Sequence, residues 1–272
     1  PIIGADFLKE FHIVPDLTTC QLIDMRTNVK ANCSQTKRPA LGISVIDQSL
    51  SPEIAKILRE FPEITRPSPV SKQVKHSVRH YIETRGRPVH CHARRLSPEK
   101  LKAAKAEFDI MLAQGICRRS TSEYASPLHM AKKSNGDWRP CGDYRPLNSR
   151  TKPDRYPIPH LQDFSHNLHG CNVFSSVDLI KAFYQIPVAE ADIHKTAIIT
   201  PFGSFEFLRT PFGLRNAAQT FQRFVDQITR GLDFVFVYID DILVASKAID
   251  EHYQHLRLLF ARLQEYGLSI NP

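Results

Sequence analysis

The sequence predicts an α+β fold in which helices flank a sheet of antiparallel strands. Three pairs of apolar, β-rich runs are each joined by a short turn, and this pattern is typical of β-hairpins. Segments with apolar residues at helical spacing lie between these pairs. Hydrophobic residues make up 42% of the 272 positions and charged residues 24%, which is ordinary for a globular chain with a core of its own.

Capping residues and apolar periodicity mark the predicted helices. Ser97 is a good N-cap, Pro98 suits the first helical position, and Gly115 ends the helix that they begin. A helix over residues 216–230 carries apolar side chains on one face, and the last helix covers residues 250–266. Shorter helices are predicted over residues 52–59, 160–169 and 178–185.

The predicted hairpins follow one another between residues 127 and 245. The first pairs residues 127–133 with 138–144 around a turn that contains Asn135-Gly136. The second pairs residues 196–200 with 205–209, and the third pairs 234–239 with 242–245. Because hairpins alternate with helices, the sheet is expected to be antiparallel and covered by helices.

The formal net charge of +8 is unevenly distributed. Residues 66–95 contain eight Lys or Arg against one acid, and residues 117–155 contain nine against four. Basic stretches suit a polyanionic partner, since each neutralised phosphate releases counterions, although a solvated linker is the simpler interpretation of residues 66–95 alone. No apolar run approaches the ~20 residues that span a bilayer, so no membrane partner is expected. The six cysteines are scattered without a C-x-x-C pair, which favours a reducing, intracellular setting.

Asp240 and Asp241 are adjacent acids at the tip of the third hairpin. Hairpin tips usually carry Asp followed by Gly, and neighbouring carboxylates repel each other unless a cation lies between them. This spacing alone supports a metal site and an ordinary turn equally. Asp178 follows a β-like stretch and by itself is a plausible helix N-cap, but together with the hairpin tip it predicts a three-carboxylate cluster. Mg²⁺ favours such hard oxygen ligands.

Seven motifs resemble those of reverse transcriptases and occur in the family's order. Tyr238-Ile239-Asp240-Asp241 resembles the Y-x-D-D hairpin, residues 174–179 resemble the first palm motif, and residues 138–148 resemble the fingers motif. The other matches are residues 156–159, 195–197, 211–216 and 220–223. The resemblance covers roughly residues 77–272, and the motif variants are similar to those of gypsy-type LTR retrotransposons.

This resemblance implies an RNA-directed DNA polymerase with right-hand fingers and palm, truncated before the thumb. It implies that Asp178, Asp240 and Asp241 hold two Mg²⁺ ions, with Mn²⁺ as an alternative ion, for nucleotidyl transfer from dNTPs to a primer 3′-hydroxyl. The nucleotide-binding residues that it implies are Lys132, Arg139, Phe183, Phe212, Gly213 and Gln219.

Each of these roles has a structural alternative. Without the motifs, Lys132 and Arg139 are solvated charges beside a turn; with them, both contact the incoming triphosphate. Phe183 is either helix core or a ring that stacks under the sugar and excludes a 2′-hydroxyl, and it could do both. Tyr238 is a strand residue by alternation, and the resemblance places it against the primer end.

The predicted organisation has three parts. Residues 1–24 resemble the C-terminal end of a retropepsin, residues 25–95 are a basic, Pro-rich linker or extension, and residues 96–272 are the fingers and palm. The chain is therefore interpreted as an internal slice of a Pol polyprotein. Its expected partners are a primed RNA or DNA template, dNTPs, and the thumb, RNase H and integrase of the same polyprotein. The expected location is the cytoplasm, in a virus-like particle.

Two other functions remain open at this point. A catalytically inactive, truncated remnant would bind nucleic acid without extending a primer. An RNA-dependent RNA polymerase would share the metal chemistry, but its pocket must accept the 2′-hydroxyl that Phe183 disfavours.

Overall fold

The computed structural model describes residues 12–16, 21–27, 30–32, 51–65, 74–132, 136–159 and 168–271. The predicted helix over residues 160–169 and the first residues of the retropepsin-like stretch lie largely outside the described residues. The chain divides into two compact units, residues 1–41 and residues 42–272. Among the residues that the structure describes, no helix is both long and apolar enough to cross a bilayer.

The smaller unit contains an antiparallel sheet of three strands, β1 (Ile13–Asp16), β2 (Gln21–Asp24) and β3 (Lys30–Asn32), in that spatial order. Asp24 organises the turn after β2, because its carboxylate accepts hydrogen bonds from the Thr27 hydroxyl at 2.6 Å and from the Arg26 backbone N–H at 2.8 Å. These bonds, led by the one from Thr27, lower the pKa of Asp24.

The larger unit carries the remaining elements. In chain order they are α1 (Pro52–Glu60), α2 (Pro62–Thr65), α3 (Pro98–Ala113), β4 (Cys117–Arg119), β5 (Ser126–Lys132), β6 (Trp138–Gly142), α4 (Arg145–Arg150), β7 (Val173–Leu179), β8 (Ile198–Thr200), β9 (Gly203–Phe207), α5 (Ala217–Ile228), β10 (Val235–Tyr238), β11 (Asp241–Ser246), α6 (Ile249–Tyr266) and β12 (Ile270–Asn271). Short 3₁₀ helices, Ala182–Gln185 and Glu190–Thr196, lie between β7 and β8. This mixture of helices and sheets confirms the predicted α+β class.

The four-stranded sheet has the order β10-β11-β7-β12, and every pair in it is antiparallel. One face packs on α5 and α6, because alternate strand residues such as Ile242 and Val244 are fully buried there. The structure corrects the prediction of a helix over residues 178–185. Residues up to Leu179 belong to β7, since β11 and β12 pair with them on both sides, and tertiary pairing outweighs weak helical periodicity in so short a segment.

The five-stranded sheet has the order β4-β9-β8-β5-β6 and packs on α3 around a second core. The first two predicted hairpins are present as β5–β6 and β8–β9. Strands β5 and β8 pair in parallel, which differs from the predicted all-antiparallel sheet. Hairpin signals identify only strands that are neighbours in sequence, whereas a parallel pair needs a long crossover connection.

Helices α1 and α2 lie inside the stretch that the sequence analysis describes as a linker. The Ser51 hydroxyl caps α1 by accepting the Ile54 backbone N–H at 3.3 Å. The side chains of Ile57, Leu58 and Ile64 are almost fully buried in the same core as α5 and α6. Residues 51–65 are therefore packed rather than loose, because both helices bury apolar side chains in this core. The domain boundaries themselves stay a prediction.

Candidate active site

The register of the four-stranded sheet aligns Asp178 and Asp241. Asp241 lies directly opposite Tyr238 on β10 and directly opposite Asp178 on β7, and Asn271 on β12 completes the row. Directly opposed residues share one face of a sheet. Both carboxylates are exposed, whereas the neighbouring Val177 is buried in the core beneath. The sheet therefore presents the two carboxylates side by side on its open face, where like charges repel.

Asp240 lies next to this row, in the turn between β10 and β11, and is half-buried. Within the described parts of the chain, no three His, Cys, Asp or Glu side chains converge on one point in the manner of a preformed metal site. The donor set nevertheless fits Mg²⁺ in kind, since all three groups are hard carboxylate oxygens. The paired backbones of Asp178 and Asp241 mean that side-chain rotation alone could turn both groups toward a shared ion.

The hairpin turn contains a strained residue. Ile239 has a φ of 56°, in the left-handed region that β-branched residues rarely adopt. Such a conformation costs about 1–3 kcal/mol and persists only where surrounding contacts enforce it. The contact here is a hydrogen bond of 2.9 Å from the Ile239 backbone N–H to the Oε1 atom of Gln222 on α5.

Gln222 was not among the site residues predicted from the sequence. It is fully buried, and its Nε2 atom donates to Asp226 Oδ1 at 2.9 Å and to the Val237 carbonyl at 3.4 Å. A signal was present, because helical spacing places Gln222 on the same apolar face as Val225. A polar side chain on such a face needs hydrogen-bond partners, and the sequence does not show what they are.

Three of the predicted nucleotide-binding residues lie together. The Phe183 and Phe212 rings meet edge to face with centroids 5.1 Å apart, and the Arg139 guanidinium lies 5.8 Å from the Phe212 centroid. Phe183 also packs edge to face on Phe221, at 5.5 Å. Arg139 is exposed, so its planar guanidinium remains accessible to an anionic ligand beside the aromatic pair.

Gly213 follows Phe212 in the same loop. It has a φ of 91°, which glycine adopts without steric cost, and its carbonyl accepts a hydrogen bond of 2.8 Å from Asn148 Nδ2. Asn148 Oδ1 also accepts from the Arg215 backbone N–H at 2.8 Å. One side chain after β6 thus fixes the loop that carries Phe212.

The structure does not bring the other predicted pocket residues into this group. Lys132 is opposite Trp138 in the β5–β6 ladder, whereas Arg139 is opposite Ala131. Successive positions of a strand face opposite sides, so the ladder does not place both cations on one face. Gln219 is half-buried in the first turn of α5, and Tyr238 is half-buried in the row of Asp241. The roles of these residues stay predictions.

A basic cleft lies where the chain enters α3 and meets β5. Its lining includes Arg94, Arg95, Lys100 and His129. Arg94 is paired with Asp143 at 2.6 Å, and the Lys100 ammonium lies 4.4 Å from the Trp138 ring centroid. Arg94 and Arg95 belong to the basic stretch 66–95, and the fold brings them together with Lys100 from later in the chain.

Comparison with protein families identifies the fold that carries this geometry. The family model described as reverse transcriptase (RNA-dependent DNA polymerase) matches residues 130–272, more than half of the chain. This chain belongs to the reverse transcriptase family. The matched segment includes all three aspartates and every predicted nucleotide-binding residue, whereas Arg94, Arg95 and Lys100 lie before it.

Known proteins similar to this reverse transcriptase family member include a retrotransposon polyprotein. The retrovirus-related Pol polyprotein from transposon opus of Drosophila melanogaster is 34% identical over 281 aligned positions, covering 99% of this chain. The chain spans 28% of that polyprotein's length.

Solved structures of a foamy viral protease-reverse transcriptase share the fold. The complex with an RNA/DNA hybrid has a TM-score of 0.73 and 22% identity, covering 82% of this chain and 31% of that one. The dRH form in complex with double-stranded DNA has a TM-score of 0.76 and 19% identity, covering 99% of this chain and 55% of that one. These likenesses support the fingers-and-palm architecture expected of a reverse transcriptase.

Proposed function

We propose that this chain supplies the fingers and palm of an RNA-directed DNA polymerase that extends a primer 3′-hydroxyl with dNTPs. The observation that carries the proposal is the register that sets Asp178 directly opposite Asp241, with Asp240 in the adjoining turn. Two repelling carboxylates on an open sheet face are stabilised by a cation between them.

Asp178, Asp240 and Asp241 would hold two divalent ions, Mg²⁺ or Mn²⁺. When bound, such ions would supply electrostatic stabilisation of the charge that develops on the reacting oxygens during phosphoryl transfer. Arg139 binds the triphosphate through its guanidinium, and Lys132 on the neighbouring strand adds a point charge. The Phe183–Phe212 pair forms the apolar wall beside which the sugar lies.

A primed template is the proposed nucleic-acid partner. Support comes from the foamy viral relatives, whose structures contain an RNA/DNA hybrid or double-stranded DNA, and from the basic cleft, whose cations suit a phosphate backbone. We further propose that the chain comes from a gypsy-type LTR element and that residues 1–24 are a retropepsin remnant. The chain would work alongside a thumb, RNase H and integrase in a cytoplasmic virus-like particle. The retropepsin proposal is supported by the foamy viral protease-reverse transcriptase structure that aligns with 99% of this chain.

Primer extension by single-aspartate variants tests the proposal. Asp178→Asn, Asp240→Asn and Asp241→Asn, made in the natural polypeptide that contains this chain, should each lower extension by more than about 100-fold. The reason is that even a residue that only supports a metal ligand contributes 10–100-fold. The folded state should persist, because removing one of the repelling charges relieves strain in the metal-free protein.

Asp233→Asn is the matched control, since Asp233 is exposed just before β10 and lies outside the row. It should extend a primer as wild type does. Wild-type protein that binds a primed template but adds no nucleotide in Mg²⁺ or Mn²⁺ would support the inactive remnant instead.

A further inference from the structure

The conformation of the hairpin turn sets the direction in which the chain continues into Asp240. Asp240 follows Ile239 directly, so the φ of 56° at Ile239 determines where the Asp240 backbone is aimed. An isoleucine does not adopt this conformation by preference. The turn therefore depends on contacts from outside the hairpin.

Gln222 holds the turn from both sides. Its Oε1 atom accepts the Ile239 N–H at 2.9 Å, and its Nε2 atom donates to the Val237 carbonyl at 3.4 Å. The two backbone groups flank Tyr238, so one fully buried amide bridges the end of β10 and the turn. A buried hydrogen bond of this kind is costly to remove, because the freed N–H finds no replacement partner.

Asp226 fixes which end of the Gln222 amide faces the turn. A carboxylate only accepts hydrogen bonds, so the Asp226 Oδ1 atom, 2.9 Å away, selects the Nε2 end of the amide. The Oε1 end is then left for the Ile239 N–H. Asp226 Oδ2 accepts in turn from the Tyr156 hydroxyl at 2.7 Å. These hydrogen bonds form one chain, Tyr156–Asp226–Gln222–Ile239. Because Asp226 can only accept, Gln222 must donate to it, and the Gln222 oxygen is then free to accept the Ile239 N–H.

We infer that Gln222 is a positioning residue for the catalytic hairpin, and that Asp226 and Tyr156 hold it in its working orientation. The inference rests on the proposed function, because it concerns how Asp240 is aimed at the metal site of the polymerase. It adds to the metal and nucleotide residues a set of side chains that touch neither ligand and act through the backbone of Ile239.

Gln222→Met is the principal variant, because Met has similar volume and suits a buried site but cannot bond to Ile239. It should lower kcat for single-nucleotide extension by about 100-fold, the scale expected when a reacting group is misplaced by about 1 Å. KM for the dNTP should stay close to wild type, since the pocket residues are untouched. Gln227→Met, an exposed position on the same helix, is the matched control and should leave both constants unchanged.

Weaker variants should follow the order of the hydrogen-bond chain. Asp226→Asn replaces an obligate acceptor with an amide that presents either end, so the Gln222 amide loses its enforced orientation. Tyr156→Phe removes only the hydroxyl. The loss in kcat should therefore be largest for Gln222→Met, smaller for Asp226→Asn and smallest for Tyr156→Phe.

A second substitution that restores activity would distinguish a positioning role of Gln222 from a role in core packing. Glycine adopts positive φ without steric cost, so Ile239→Gly in the Gln222→Met background should recover most of the lost kcat. A role of Gln222 in core packing alone predicts no recovery, because Ile239→Gly fills no space around α5. A Gln222→Met protein with wild-type kcat, or an inactive one that Ile239→Gly does not rescue, would overturn the inference.

Hydrogen exchange gives a readout that needs no catalysis. The Ile239 amide should exchange faster in Gln222→Met than in wild type, while the paired amides of β10 and β11 keep their protection. Unchanged exchange at Ile239 would overturn the inference even if activity fell. If the wild-type protein extends no primer, the proposed function fails, and this exchange measurement still decides whether Gln222 holds the turn.

Discussion

Phe183 is a packed aromatic residue at the junction of the two hydrophobic cores. The sequence left open whether its ring is core or a wall of the nucleotide pocket. The structure places the half-buried ring between Phe212 and Phe221, in contact with both hydrophobic cores. Edge-to-face pairs stabilise such a ring by about 0.5–1.5 kcal/mol each beyond burial, which holds it rigidly. A rigid ring is what exclusion of a 2′-hydroxyl requires, although that role stays a prediction.

Phe183→Val should raise ribonucleotide incorporation far more than it lowers deoxynucleotide use. The expected reason is that the smaller side chain would open space beside the sugar, where the proposed role of the wild-type ring is to exclude a 2′-hydroxyl. The measurement is single-nucleotide extension with each triphosphate at one Mg²⁺ concentration, in the natural polypeptide. The variant should also unfold more easily, because it loses two ring contacts. An unchanged sugar preference in a folded Phe183→Val protein would leave Phe183 a core residue only.

His80 makes the folded state sensitive to acid. It is fully buried, its Nδ1 atom lies 3.0 Å from the Thr220 hydroxyl, and its Nε2 atom has no hydrogen-bond partner in the described part of the chain. Burial lowers its pKa from 6.5 to about 4, against the opposing attraction of Asp192 and Asp154. The unfolded chain therefore binds the proton more readily, and folding stability is full above pH 6.5 and is lost as the pH falls toward 4.

The expected contribution of His80 between pH 7 and pH 5 is a loss of about 2 kcal/mol in the free energy of unfolding. Denaturant unfolding at the two pH values should show this loss in wild type and a shallower dependence in His80→Gln. His169→Gln, at an exposed position, is the control and should match wild type. An equal pH slope in His80→Gln would assign the acid sensitivity to other groups, such as His76, whose pKa is lowered in the same direction by burial.

At the scale of elements, the start of α3 and the hairpins were the most predictable features, although the Ser97 side chain makes no capping hydrogen bond. Ser97 and Pro98 mark the start of α3, and the Asp240-Asp241 hairpin has strands within a residue or two of their predicted ends. The sequence did not predict β12, because two residues are too few for any periodicity. The sequence analysis also assigned Asp178 to a helix, because pairing with strands from distant segments leaves no local signal in the sequence.

The entrance of α3 should also bind the nucleic-acid backbone. Lys100→Gln, in the basic cleft, should weaken binding of an RNA/DNA hybrid and reduce the slope of log K against log salt by about 1. Lys102→Gln is the matched control, since two residues along a helix point about 200° apart and Lys102 does not line the cleft. Fluorescence titration across a range of KCl measures both slopes. Equal effects of the two variants would mean that the cleft has no special role.

At the scale of the whole molecule, the sequence predicted the class of fold better than the arrangement of the three acids. The motif order pointed to Asp178, Asp240 and Asp241 because each stands in a distinctive local pattern. Their alignment in one row depends on which strands become neighbours, and the β7–β11 pair joins segments far apart in sequence. The same limit hid the parallel β5–β8 pair and the buried role of Gln222, whose backbone partners at Val237 and Ile239 lie outside its own helix.

The central position of β7 has a consequence for how the protein is made. Both neighbours of β7 are translated long after it, since β11 begins at Asp241 and β12 at Ile270. The strands of the five-stranded sheet are complete by Phe207, so that half can assemble on the ribosome while β7 still has two open edges. Open strand edges associate with other chains, and pairings between distant segments form slowly. The nascent chain therefore passes through an aggregation-prone interval in which a chaperone would have the most to protect, and the strand that carries Asp178 is the one exposed.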